Sequence, residues 1–148
     1  MFSANNEQPW RYISAEKNTE SFKKILQSLM PSNAAWAKNA AAFIVSIAKI
    51  NFEKENNPLN NWAEHDVGAA NAAMILQATS MNIAAHPMAG FDAAKIKDAF
   101  ELNEYLKPVA VIALGYLDEA DKLEEPFKTR ERSSRKRKEL SEIILNYA

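Results

Sequence analysis

The sequence predicts one domain of mixed helices and strands, an α/β or α+β fold with few strands. Two segments predict strands: Ala42–Ile50 is rich in β-forming residues, and Val109–Leu117 is almost continuously apolar. Other segments repeat apolar residues with helical spacing. The 148 residues contain no internal repeat and no Gly/Ser-rich linker, which fits a single domain of about 100–200 residues.

The N-terminal half contains one segment with clear amphipathic helical spacing, from about Thr19 to Leu29. Its apolar residues follow the i, i+3, i+4, i+7 pattern: Phe22, Ile25, Leu26 and Leu29. Thr19 can cap the free amides at the start of this helix, and Pro31 should end it. We expect a loop or a short helical turn over Asn33–Asn39, and a loop over the Asn-rich residues 56–61.

The longest predicted helix runs from about Asn61 to Met81. Asn61 and Glu64 have the spacing of a capping box, in which two side chains satisfy free amides at a helix start. One face is apolar: Val67, Ala70, Met74, Ala78 and Met81. Small residues at and after Gly68 would let another helix approach closely.

The C-terminal part contributes two further predicted helices. Residues 82–85 should lead back to the sheet, and Asp92 should cap a short helix ending at Phe100. A last helix is predicted over about Arg137–Tyr147, with apolar residues at Leu140, Ile143, Ile144 and Tyr147. Helices 62–81 and 137–147 are apolar enough to be buried between two subunits, although periodicity alone equally allows burial within one chain.

Composition excludes several classes of protein and site. The absence of cysteine excludes disulfides, thiolate metal sites and cysteine nucleophiles. The longest apolar runs are far shorter than the roughly 20 residues of a membrane-spanning helix, and the N-terminus has no apolar signal core, so we expect a cytoplasmic protein. Residues 128–138 carry a local charge of +6, while the whole chain carries −1. A basic cluster on an otherwise acidic chain indicates a local anion site more than nucleic-acid binding.

No common catalytic pattern is present. The chain lacks a Ser/His/Asp arrangement, a phosphate-binding P-loop and a G-x-G-x-x-G turn. The pair His65–Asp66 stands near a predicted helix start, where a capping or solvated pair is favoured over an acid–base site. His86 precedes Pro87 and is interpreted as a structural hydrogen-bonding residue in preference to a catalyst.

Three short segments are distinctive when they are taken together. The first segment, Ser3–Trp10, contains Asn6, Gln8, Pro9 and Trp10. The second is His86–Asp92 and contains Met88-Ala89-Gly90-Phe91-Asp92. The third is Leu114-Gly115-Tyr116 followed by Lys128-Thr129-Arg130. In this order and at these separations they resemble the FMN-dependent nitroreductase family. The family patterns S-x-N-x-Q-P-W and M-G-G-F-D are each met with one change, Ala4 for serine and Ala89 for glycine. Asp66–Ala70 is similar to the family's D-x-G-A-A helix.

The resemblance covers essentially the whole chain and implies an α+β, three-layer fold with a central, mostly antiparallel sheet flanked by helices. Family members usually begin with a further segment whose arginine and serine bind the flavin phosphate. This sequence starts after that segment, so we expect an N-terminally truncated member. One nitroreductase-like domain should span residues 1–148, with residues from about 119 to 148 extending onto a partner subunit.

The resemblance also implies a set of cofactor-binding residues. Lys128 and Arg130 match a family pair at the FMN phosphate, where arginine can bind two oxygens and lysine acts as a point charge. Asn33 matches an asparagine at the polar edge of the flavin ring. Backbone amides of Ala89 and Gly90 would face flavin N5 and O4. Pro87 and Met88 would form an apolar wall against one ring face. Ser3 and Asn6 would contact the flavin from the partner subunit.

The implied function is that of a homodimeric oxidoreductase with FMN at the subunit interface. Hydride would pass from NADH or NADPH through flavin N5 to a nitroaromatic, a quinone or a similar small acceptor by a ping-pong mechanism. No catalytic side chain, metal ion, nucleic acid or membrane is expected to take part. The alternative is a non-catalytic dimerisation or interaction domain that binds flavin weakly or not at all.

Overall fold

The computed structural model describes residues 2–146 and divides the chain into two compact units, one ending at Leu117 and one beginning at Asp118. The first unit is built on one four-stranded sheet. Its strands are β1 (Trp10–Glu16), β2 (Ala42–Lys49), β3 (Ala84–Met88) and β4 (Leu106–Gly115), in the order β1-β2-β4-β3. All three pairings are antiparallel, which confirms the α+β fold class and the antiparallel sheet.

Helices cover both faces of the sheet. The first unit contains α1 (Glu20–Ser28), α2 (Pro31–Ala37), α3 (Ala63–Ser80) and α4 (Ala93–Ala99). The larger core cluster joins residues of α1 and α4 to one face of the central strands; its bulky members include Phe22, Ile25, Phe43, Val45, Ile96 and Val111. On the other face, a smaller cluster joins Ala63 and Val67 of α3 to Ala48 of β2.

One extra residue in β4 changes the face of the sheet to which its side chains point. Ser46 pairs with Ala110 and Ile47 pairs with Pro108, so Val109 is left over between the two pairs. An extra residue of this kind is a β-bulge and reverses the alternation of side chains beyond it. Val109 therefore packs in the cluster with α3, whereas Val111 packs in the cluster with α1 and α4.

Several predicted elements are confirmed close to their predicted bounds. The Thr19 hydroxyl caps α1 by accepting the Phe22 N–H at 3.2 Å, and Asp92 caps α4 by accepting the N–H groups of Ala94 and Lys95. The predicted strand Ala42–Ile50 is β2. The second predicted strand is β4, which begins three residues earlier and ends two residues earlier than expected.

The start of α3 differs from its prediction. Trp62 is the N-cap residue and has no side-chain cap hydrogen bond, although Asn60 Oδ1 accepts the Trp62 N–H at 3.1 Å. Glu64 makes an ion pair with Lys107 at 2.7 Å. The predicted box is wrong because Asn61 is not the N-cap, and Glu64 is two residues after Trp62 instead of the three that a capping box requires.

Two further elements differ from their predictions. Strand β1 was not predicted, because its pairing with β2 decides its conformation and its own pattern is only partly alternating. Helix α1 already ends at Ser28, before Pro31. Pro31 is instead the first residue of α2, a position where its missing N–H costs no hydrogen bond.

The second unit contains α5 (Phe127–Arg132) and α6 (Leu140–Ile143). The long helix predicted over Arg137–Tyr147 is wrong within the described residues, since only one turn is helical; Tyr147 lies outside them. Leu140, Ile143 and Leu145 are exposed in the single chain, so no buried face stabilises a longer helix there. Among residues 2–146, no helix is long and apolar enough to cross a membrane.

Candidate functional site

The second distinctive segment follows the edge strand of the sheet. Pro87 and Met88 belong to β3, and Ala89 and Gly90 come directly after it. Proline is tolerated here because β3 pairs only with β4 and its outer edge needs no amide donor. This edge therefore places the segment where backbone groups can meet a ligand instead of another strand.

The backbone after β3 is held in place by hydrogen bonds to the Gly90 carbonyl, and two of its N–H groups are available to a ligand. The Gly90 carbonyl oxygen accepts the Met30 N–H at 3.0 Å and the Asn33 Nδ2 at 3.0 Å. Within residues 2–146, neither the Ala89 nor the Gly90 N–H donates a backbone hydrogen bond. Two adjacent donors on a fixed backbone are suited to a polar ligand edge that carries two acceptors.

Gly90 lies very close to Asn33. A Cβ atom built on Gly90 would be 2.6 Å from Asn33 Nδ2, which is too short for a real contact. No described glycine has a positive φ, so the backbone angle at Gly90 does not itself require glycine. A side chain there would instead displace the Asn33 amide.

Helix α2 positions Asn33 beside Gly90. Met30 is its N-cap residue and Pro31 its first residue, so Asn33 falls in the first turn, half-buried, with its N–H bonded to the Met30 carbonyl at 2.9 Å. Met30 itself is exposed beside this segment and was not predicted as part of the site. The Met–Pro start of a helix was the only signal that could have located it.

Strand alternation separates the two residues that were predicted to form an apolar wall. Pro87 is exposed, whereas Met88 is 3% exposed and belongs to the large core cluster. Successive residues of a strand point to opposite faces. The Pro87 side chain is therefore available to a ligand at this edge, and that of Met88 is taken by the core.

The N-terminal segment, residues 3–8, is folded onto the rest of the first unit. The Ser3 hydroxyl oxygen accepts the Gln8 N–H at 2.9 Å, and the Ser3 carbonyl accepts the Asn6 N–H at 3.0 Å. The Ala4 N–H donates to Asp66 Oδ2 at 2.9 Å. The Ser3 hydroxyl thus already has one partner within the chain, and the Asn6 side chain is exposed.

In the second unit, Lys128 and Arg130 are on α5, two residues apart, so their side chains leave the helix on different sides. Lys128 Nζ forms an ion pair with Asp121 Oδ1 at 2.8 Å, and Arg132 contacts the same carboxylate. Arg130 is exposed. A phosphate at this helix would meet one exposed guanidinium and one lysine that can exchange a surface carboxylate for the new anion.

The two histidines have ordinary surroundings. His65 Nδ1 lies 3.1 Å from Asp66 Oδ1, and the His65 side chain is mostly exposed. His86 packs edge-on against Trp36, with ring centroids 4.8 Å apart. In the part of the chain that the structure describes, no group of three or more His, Asp or Glu residues could hold a metal ion.

Comparison with known proteins identifies the family to which this geometry belongs. Residues 3–116 match the model of the nitroreductase family. An uncharacterized 15.4 kDa protein in the ask 5' region of Mycolicibacterium smegmatis is 33% identical over 118 residues, covering 80% of this chain and 78% of that protein.

Solved structures have the same fold. A crystal structure of an oxidoreductase containing FMN superposes with a TM-score of 0.90 at 29% identity, covering 97% of this chain and 73% of the other. An FMN-dependent nitroreductase from Clostridium difficile R20291 has a TM-score of 0.64 at 21% identity, covering 79% of this chain and 68% of that one.

Proposed function

Because this chain belongs to the nitroreductase family, we propose that it is an FMN-dependent oxidoreductase using NADH or NADPH and a small electron acceptor. The observation that carries the proposal is the pair of free amides at Ala89 and Gly90 beside the Asn33 amide. The similar oxidoreductase that contains FMN, at 29% identity, supports the choice of cofactor. When bound, FMN supplies a ring that takes hydride from the nicotinamide and returns it to a nitroaromatic or quinone in ping-pong order.

The residues after β3 would orient the flavin ring. The Ala89 and Gly90 N–H groups can donate to acceptors on one ring edge, and their position does not drift because the Gly90 carbonyl is bonded twice. Preorganised donors need no rearrangement when charge develops on the ring. Pro87 would lie against one ring face, and Asn33 can offer its Oδ1 and second N–H to the polar edge.

The cations of α5 would hold the FMN phosphate. Arg130 can bind phosphate oxygens with two N–H groups, and Lys128 adds a point charge after releasing Asp121. These contacts compete with water and salt because both side chains are at least partly exposed. The ring contacts and the phosphate contacts can therefore be separated experimentally.

We further propose a homodimer with the flavin at the interface. The first unit exposes Leu76 and Met81 at and just beyond the C-terminal half of α3, at 71% and 58% of their surface. The second unit exposes Leu145 completely, together with Ile143. A second copy of the chain could cover these apolar side chains, and its Ser3 and Asn6 would complete the flavin site. Sedimentation showing a folded monomer at micromolar concentration would contradict this.

The function is tested on the full chain with FMN and a reductant. We expect FMN fluorescence to be quenched on titration with apoprotein, and NADH or NADPH to be oxidised when a nitroaromatic or quinone is added. Asn33→Ala should weaken FMN binding, while Asn39→Ala, in the turn after α2, is a matched control and should not. A folded protein that binds neither FMN nor nicotinamide would contradict the proposal and favour a non-catalytic interaction domain.

A further inference from the structure

A buried carboxylate connects α3 to the N-terminal segment. Asp66 is 5% exposed, and its Oδ2 accepts the Ala4 N–H at 2.9 Å across 62 residues of sequence. Its other oxygen, Oδ1, lies 3.1 Å from His65 Nδ1. Both oxygens are therefore engaged, and one of them holds a backbone amide that no regular element would otherwise use.

The N-terminal segment has a backbone that needs such an anchor. Asn5, Asn6 and Gln8 have φ values of 54°, 56° and 52°, in the left-handed region. Left-handed conformations cost about 1 kcal/mol or more for a residue other than glycine, although asparagine tolerates them better. Such a segment keeps its shape only where contacts with the rest of the chain over-determine it.

A second carboxylate holds the other end of the segment but differs in burial. Glu7 Oε1 accepts the Glu53 N–H at 2.6 Å, in a pair exposed to solvent. Water competes with the Glu7 contact, whereas Asp66 is shielded from it. A carboxylate–amide bond is stronger in buried surroundings, so Asp66 should dominate the position of residues 3–6.

We infer that Asp66 is a positioning residue that sets the N-terminal segment so that Ser3 and Asn6 can contact flavin. This inference rests on the proposed function, in which those two residues reach the flavin of the partner subunit. Asp66 touches neither flavin nor substrate in this role. It acts through one atom, the amide nitrogen of Ala4.

The chain offers a variant that removes only this amide donor. Ser3 has φ −143° and ψ 158°, an extended conformation that a following proline permits, and Ala4 is not among the residues with a positive φ. Ala4→Pro should thus keep the backbone path and delete the N–H that Asp66 accepts. Asp66→Asn keeps an acceptor oxygen for Ala4 and offers an N–H to His65 Nδ1.

The experiment measures FMN dissociation constants by fluorescence quenching, and amide hydrogen exchange over residues 3–8. We expect Asp66→Ala to weaken FMN binding by about 10-fold or more and to speed exchange in the segment, as loss of a charged hydrogen bond would. Ala4→Pro should weaken FMN binding equally, the double variant should lose nothing further, and Asp66→Asn, which keeps an acceptor oxygen without the charge, should weaken binding less than Asp66→Ala.

Glu64→Ala is the matched control, because Glu64 is another acid in the first turn of α3 but pairs with Lys107. If Glu64→Ala weakens FMN binding as much as Asp66→Ala, the effect is on the helix and the inference is overturned. The inference is also overturned if Ala4→Pro leaves FMN binding intact, or if Asp66→Ala leaves the rate of amide hydrogen exchange in residues 3–8 unchanged. If the unsubstituted protein binds no FMN, both the proposed function and the flavin role of Asp66 are overturned. Amide hydrogen exchange in residues 3–8 would still show whether Asp66 holds the segment through the Ala4 N–H.

Discussion

The two units of the chain use apolar residues in opposite ways. In the unit ending at Leu117, apolar side chains on both faces of a sheet are buried, and Phe22 and Phe43 stack with ring centroids 4.3 Å apart. In the unit from Asp118 onward, helices α5 and α6 bury no residue, and Leu145 is fully exposed.

The difference teaches where each unit's stability comes from. A sheet brings distant segments together, and its central strands β2 and β4 each have two neighbours, so small elements can share one core. A helix of four to six residues is too short to form on its own and needs a surface to pack against. The apolar side chains of α6 are exposed in the single chain and need another surface to pack against, which supports the proposed dimer.

The largest expected effect is on the free energy of unfolding, when one apolar residue in each unit is replaced by alanine. Phe43→Ala should lower the free energy of unfolding by about 3–5 kcal/mol, because it opens a cavity at a fully buried site. Ile143→Ala, at a side chain 59% exposed, should change it by less than about 0.5 kcal/mol in the monomer. Urea unfolding at one protein concentration compares the two variants. A loss with Ile143→Ala as large as that with Phe43→Ala would remove the contrast between the units.

The next effect concerns the flavin ring and lies in the first unit. Gly90→Val should abolish detectable FMN binding, or weaken it by about 100-fold or more, because the new Cβ displaces Asn33 from the Gly90 carbonyl. Ala89→Gly should be nearly silent for FMN, since Ala89 is exposed and its amide is kept. Fluorescence titration measures binding, and circular dichroism confirms folding. Stoichiometric FMN in a folded Gly90→Val protein would contradict the assignment of this segment.

A smaller effect concerns the phosphate and lies in the second unit. The double variant Lys128→Ala, Arg130→Ala should weaken FMN by about 10- to 100-fold, as charged hydrogen bonds at an exposed site are lost. Riboflavin, which lacks the phosphate, should be almost unaffected. Lys122→Ala is the control, because Lys122 already pairs with Asp118 in the same unit. Equal losses for FMN and riboflavin would indicate a folding defect instead.

The smallest effect is electrostatic and should be alike in both units. A hydrogen bond from Lys49 holds the pKa of Glu53 below its ordinary value, and one from Lys122 lowers the pKa of Asp118. A carboxylate whose pKa is lower when folded stabilises the fold above its ordinary pKa, and this contribution fades as the pH falls through the lowered pKa. Both pairs are at the surface, so both contributions should be slight and sensitive to salt.

Lys49→Met and Lys122→Met, which keep much of the aliphatic stem, test this by side-chain carboxyl titration in NMR. Each should raise the pKa of its own carboxyl toward the ordinary range and leave the other unchanged. A pKa of Glu53 that stays low in Lys49→Met would show that Arg11, its other cationic neighbour, holds the carboxylate instead.

Residues with strong local signals could be predicted from the sequence. The Thr19 and Asp92 caps and strand β2 depend on nearby residues, and each forms close to where it was expected. The three distinctive segments also indicated the family, which the match over residues 3–116 confirms. The individual cofactor contacts, those of Asn33 and residues 87–90 as well as those of Ser3, Asn6, Lys128 and Arg130, stay predictions.

Residues whose partners are distant in the sequence could not be predicted in the same way. Nothing in the run Val109–Leu117 marks Val109 as the bulge that places its side chain on the face opposite that of Val111. No local pattern shows that Met88 enters the core while Pro87 does not, or that Asp66 accepts an amide 62 residues away. Each outcome depends on how the strands pair.

By itself, the sequence determined the mixed fold class, the caps and the order of the distinctive segments, because each is encoded by short-range spacing and residue type. Tertiary structure alone decided that Gly90 lies close against the Asn33 amide, that Asp66 holds the N-terminal segment, and that the C-terminal helix stops after one turn. The physical reason is the same in all three cases. Steric contact, burial and hydrogen bonding act between neighbours in space, and the fold decides which residues become neighbours.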